Sequence, residues 1–158
     1  MTTMKSRIVK ISLWYEDDFT ELSRDAKFLF LYLLTCPFIE LTGIFRFPKR
    51  HVMLEAGFND NELQSGLDEL EKINKAFVYK GWIYIPKTDK HNKYSVGTKT
   101  KIGFYRELAD IPKNILEYFN KRYPYDTPMI LPEDRRHKTE DRSSKAENII
   151  KDDLNEFL

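Results

Sequence analysis

The stretch "LEAGFNDNELQSGLDELEK", residues 54–72, sets a glycine turn between two helix patterns. Gly57 suits the left-handed residue that closes a helix begun at "KRHVM", residues 49–53. Asn59 is a good N-cap for the next helix, and Glu62, three residues on, completes a capping box. Leu63, Leu67, Leu70 and Ile73 then fall on one face. Downstream, "AFVYKGWIYIP", residues 76–86, reads as two short strands about a Lys80-Gly81 turn. Phe77, Tyr79, Trp82 and Tyr84 alternate as a half-buried strand pair should, which assigns them to the core. Pro86 has no N–H for a ladder and stops the pairing.

Upstream, "LSRDAKFLFLYLLTC", residues 22–36, is the strongest helix pattern. Ser23 caps it, and Asp25 and Ala26 suit its first turn. Ala26, Leu29, Phe30, Leu33 and Leu34 share a face, while Phe28, Leu31 and Tyr32 take the other, so burial on more than one side is expected. Pro37 ends the helix. "LTGIFRFP", residues 41–48, adds a short β segment. The order is helix, strand, helix, tight turn, helix, hairpin, which predicts an α+β, mainly α fold of winged helix-turn-helix type. In that arrangement the third helix can enter a DNA groove with the hairpin wing beside it.

Beyond the hairpin, "KIGFYRELA" and "IPKNILEYFNKRY" predict two further helices broken at Asp110 and Pro112. A winged-helix domain with these helices is expected over residues 1–127, and a charged, Pro-containing linker over 128–143. A short amphipathic helix is expected over 144–158. Ser144 with Glu147 is a capping-box pattern, and Ile150, Leu154 and Phe157 form an apolar stripe. That stripe suits either a partner or a second copy of the chain, the latter giving a homo-oligomer. A tail that binds nothing is the alternative.

Composition excludes several classes. No apolar run approaches the ~18 residues of a membrane span, and the start lacks the apolar stretch of a signal peptide. Cys36 is alone, so no disulfide framework exists and a cytoplasmic protein is expected. It reads as a small apolar filler. His51, His91 and His137 lie far apart, away from zinc-ligand spacing. The six glycines form neither a phosphate cradle nor a dinucleotide fingerprint. Glu16, Asp17 and Asp18 read as dipole partners at a helix start rather than a catalytic pair. No enzyme, metal or cofactor is predicted.

The charge is +1 overall, so any nucleic-acid surface must be local. Behind the hairpin Lys87, Lys90, Lys93, Lys99 and Lys101 accompany Asp89 alone, five cations less one anion, or +4. Such a strip suits a phosphate backbone, with Tyr94 free to stack on an unpaired base. Lys49 and Arg50, opening the second helix, and Lys80 in the turn add to it. On the third helix Asn61, Gln64 and Ser65 are candidate base readers, with Lys72 at its end. Yet Asp60, Glu62, Asp68, Glu69 and Glu71 make that helix acidic, and a merely solvated face is the competing reading. The strip, too, reads alternatively as a solvated loop.

"LWYEDDF", "LSRDAKFLFLYLLTCP", "LTGIFRF", "LEAGFNDNELQSGLDELEK" and "GWIYIPK" together resemble the N-terminal winged-helix domain of phage replisome organisers and related DnaD-like replication-initiation proteins. The likeness extends into "RELADIPKNILEYFNKRYPYDT" and covers roughly Ser12 to Thr127. It rests chiefly on Trp14 with Asp17, the "LSRDAK" helix start, Gly43-Ile44-Phe45 and Trp82 in the wing. It implies a phage or prophage protein in the bacterial host cytoplasm that binds DNA at an origin. Such a protein would recruit a replicative helicase or its loader. Double-stranded DNA is the expected partner, with single strands as an alternative. The residues alone also admit a transcription regulator on the same fold, or a protein-interaction module that binds no DNA.

Overall fold

The structure, a computed structural model, describes residues 6–86, 88 and 98–122. They fall into two compact units that divide between Ile115 and Leu116. The expected linker and terminal helix, with Ile150, Leu154 and Phe157, lie outside the described residues.

A 3-10 turn over Ile11–Tyr15 leads into α1 (Asp17–Thr20) and then α2 (Arg24–Thr35). Ser23 caps α2 as expected, its hydroxyl accepting from the Ala26 N–H at 3.1 Å. β1 (Ile44–Arg46) is followed by α3 (Lys49–Ala56), which Gly57 closes at φ +75°. α4 (Asp60–Lys72) opens on a complete capping box. The Glu62 N–H donates to Asn59 at 2.9 Å, and the Asn59 N–H donates to the Glu62 carboxylate at 3.0 Å. β2 (Phe77–Tyr79) and β3 (Trp82–Tyr84) flank Lys80 and Gly81, both at positive φ (46° and 75°), a type I′ turn. α5 (Thr98–Asp110) and α6 (Lys113–Arg122) follow. The described residues are mainly helical with one small antiparallel sheet, an α+β fold.

The sheet runs β1-β3-β2, so the central strand is the last one made. Phe45 and Val78 both register with Ile83, and Ile44 and Phe77 with Tyr84. Because side chains alternate across a sheet, Ile83 joins the core formed with the helices, while Tyr84, Phe77 and Ile44 are buried on the other face. Gly43 makes the β1–β3 contact possible. It sits at φ +73°, and a Cβ there would lie 2.5 Å from the Ile85 carbonyl oxygen.

The main core is built where α2 crosses α4. Leu29, Phe30, Leu33 and Leu34 meet Leu63, Leu67 and Leu70, with Leu13, Phe19 and Val52 closing the sides. Each such side chain contributes about 1.5–3 kcal/mol by leaving water. The second face of α2 departs from expectation. Leu31 and Tyr32 are only partly buried, and Phe28 is 50% exposed, its ring stacked 5.9 Å from Phe58. Leu31 and Tyr32 pack against the rim of the core, and Phe28 covers the α3–α4 turn at Phe58.

Two other expectations gain detail. Glu16, Asp17 and Asp18 stand at the start of α1 as expected, but Glu16 also forms an ion pair with Lys75, both side chains largely buried (20% and 13% exposed). Lys75 supplies the opposite charge from the loop after α4, so removing either partner would leave an uncompensated, largely buried charge. α5 begins at Thr98, ahead of the expected Lys101, so Lys99 belongs to the helix as well. Among the described residues no helix is long and apolar enough to cross a membrane.

Candidate nucleic-acid interface

The capping box fixes the start of α4, and the type I′ turn fixes the hairpin. Between them lies a cleft of about 580 Å³. Lys49, Asn61 and Gln64 line it together with Gly81 of the turn. The structure thus gathers residues from α3, α4 and the hairpin that the sequence had marked separately. Ser65 is not among them. It borders a second depression with Ser23, Asp25 and Glu69, toward the start of α2. Arg50 is exposed beside Lys49, Lys72 is exposed in the last turn of α4, and Lys80 is exposed at the tip of the hairpin. Lys87, Lys90 and Lys93, with Tyr94, lie outside the described residues.

Electrostatically the cleft is acidic. Asp60, Asp68 and Glu71 line it against Lys49, three carboxylates to one ammonium group. Lys49 is already bound to Asp60 at 2.6 Å across the exposed α3–α4 junction. Gln64 donates through Nε2 to Asp68 at 2.8 Å. A base edge would have to displace that bond before Gln64 could read it.

The acids of α4 have local work that composition does not reveal. Glu62 completes the cap, Asp60 holds Lys49, and Glu69 accepts from the Ser23 N–H and hydroxyl at 2.8 and 2.7 Å. These contacts orient α3, α4 and α2 relative to one another. They leave the negative potential of the face in place.

The cations at the hairpin end sit on aromatic faces. The Arg46 guanidinium lies 4.6 Å over the Trp82 ring, and the Lys80 ammonium 5.4 Å from the Tyr79 ring. Arg46 is a residue the sequence reading missed. Its signal is its cross-strand register with Trp82, which is invisible until β1 is known to pair with β3.

On the far side of β1 a smaller cleft of about 280 Å³ is lined by Glu40, Arg46, Trp82 and Glu107. Burial, then the hydrogen-bonded Glu40 carboxyl beside it, push Glu107 up to about 7. The Thr42 N–H donates to Glu107 at 3.3 Å, tying α5 to the loop before β1. Elsewhere Glu55 accepts from Tyr32 at 2.5 Å and contacts His51 at 3.2 Å, which hold its carboxyl below the usual range. Burial pushes the Cys36 thiol up, in keeping with an unreactive filler. Among the described residues no three His, Cys, Asp or Glu side chains converge as metal ligands would.

No protein-family model matches the chain, and neither the curated proteins nor the solved structures give a match.

Proposed function

We propose that this chain is a DNA-binding winged-helix protein of phage or prophage type that acts in replication initiation, binding an origin and recruiting a helicase or its loader. The observation that carries the reading is the succession of α3, the Gly57 turn, α4 and the β2–β3 hairpin. It supports the reading because, in a helix-turn-helix with a wing, a helix and a hairpin address neighbouring parts of a duplex. The resemblance to replisome organisers supplies the replication role.

In this reading phosphate contacts come from Lys49 and Arg50 at the start of α3 and from Lys80 at the tip of the wing. The cluster from Lys87 to Lys101 adds to them. Sequence preference from Asn61 and Gln64 is secondary, since Gln64 is engaged with Asp68. A gel-shift titration on duplex and single-stranded DNA at two salt concentrations tests the reading. Salt-sensitive binding to duplexes of unrelated sequence supports it, and no binding at low salt removes it. The acidity of the α4 face favours a second reading, a protein-interaction module that touches no DNA.

A further inference from the structure

We propose that the cleft between α4 and β2 is a docking groove for an extended, cationic polypeptide segment of a protein partner, which adds to β2 as a further strand. The site goes beyond the DNA reading. It shares Lys49, Asn61 and Gln64 with the DNA reading, but the charge that sets its ligand is that of the α4 carboxylates Asp68 and Glu71.

Three observations carry it. First, among the described residues the order β1-β3-β2 makes β2 an edge strand. Second, the hydrogen-bonding phase of the hairpin turns the backbone of Val78 outward. In a two-residue type I′ hairpin the residues flanking the turn, Tyr79 and Trp82, exchange both ladder bonds, so the next pair, Val78 and Ile83, does not. The other side of β3 agrees with this phase. Phe47 donates to the Gly81 carbonyl at 2.9 Å, and Ile85 donates to the Gly43 carbonyl at 2.8 Å, placing the groups of Ile83 toward β1. The N–H and C=O of Val78 therefore point to the open edge, where an added strand would pair.

Third, the cleft beside that edge has the chemistry of a cation-and-apolar ligand. Its apolar part is Leu67, Ala76 and the side chain of Val78, which is 39% exposed. Its charged wall is Asp68 and Glu71, one helical turn apart on α4. A strand puts alternate side chains on one face about 6.6 Å apart, within reach of both carboxylates for flexible Lys or Arg side chains. A phosphate seated against Asp68 and Glu71 would meet repulsion, so this part of the cleft suits a cation.

The test uses the whole chain and fluorescence anisotropy with a short fluorescein-labelled peptide of alternating lysine and valine. Wild type should bind it saturably and should not bind the alternating glutamate–valine counterpart. Asp68→Asn with Glu71→Gln should weaken binding about tenfold or more. Val78→Pro, which removes the outward N–H at a position where an edge strand tolerates proline, should also weaken it. Circular dichroism checks that each variant folds; if Val78→Pro does not, the carboxylate variant decides alone. Equal affinity for both peptides, or unchanged affinity in the carboxylate variant, overturns the proposal. So does displacement of the lysine peptide by duplex DNA that binds wild type but not the carboxylate variant. Loss of duplex binding by wild type would remove the DNA reading and leave the peptide result standing.

Discussion

Glu69 on α4 accepts two hydrogen bonds from Ser23, one from its backbone N–H at 2.8 Å and one from its hydroxyl at 2.7 Å. The Ser23 hydroxyl in turn accepts from Ala26 and caps α2. One carboxylate thus orients the cap of one helix from the side of another, exactly where α2 crosses α4. Glu69→Ala should lower stability by about 1–2 kcal/mol, measured by urea denaturation. In a double-mutant cycle, Ser23→Ala should cost little further once Glu69 is gone. Full additivity would show that the two residues do not act together.

Gly43 should tolerate no side chain. Alanine there meets the Ile85 carbonyl oxygen at 2.5 Å and holds a left-handed φ. Gly43→Ala should cost roughly 2 kcal/mol or more and loosen the β1–β3 pairing. Thermal melting measures the first effect, and amide exchange at Ile85 the second. A variant as stable as wild type would contradict the close approach.

The Glu107 carboxyl gives stability a pH dependence with a definite sign. Its folded value of about 7 lies above the ordinary 4.5, so the folded chain holds the proton more tightly than the unfolded one. The contribution is full below about pH 4.5, is lost as pH rises through about 7, and is flat beyond. Glu107→Gln keeps the neutral form at every pH. Its advantage over wild type should therefore grow between about pH 5 and pH 8 in thermal melts. A constant difference across that range would refute the assignment.

What was legible in the sequence was local. The Asn59–Glu62 box, the Ser23 cap, the Gly57 stop and the Lys80-Gly81 turn each depend on residues a few positions apart, and each stands where it was expected. The contacts that give the candidate site its character are not local. Ser23 and Glu69 are 46 positions apart and Glu16 and Lys75 are 59, so neither pairing leaves a periodic trace. The same holds for Arg46 over Trp82, which needs the strand order. Asn61 and Gln64 could be placed on the exposed stripe of α4 from spacing alone. That Gln64 faces the hairpin cleft, Ser65 the depression beside Ser23, and Asn61 both, could not, because it depends on which neighbour flanks each side of the helix.

Lys49 separates stability from binding. Its pair with Asp60 is exposed on both sides, so Lys49→Ala should change stability by less than about 1 kcal/mol. If α3 approaches phosphate, the same variant should weaken duplex binding and reduce the salt slope by about 1. Melting and anisotropy on one preparation read both. A large stability loss with unchanged binding would assign Lys49 to the fold alone.

The most direct measurement of the DNA reading is the slope of log Kd against log salt for a duplex of arbitrary sequence. Wild type should be compared with Lys87→Ala/Lys90→Ala/Lys93→Ala. The account predicts measurable low-salt affinity for wild type, weakened similarly for all sequences in the triple variant, with a slope shallower by about 2–3. Equal affinity and equal slope in the two proteins would contradict it.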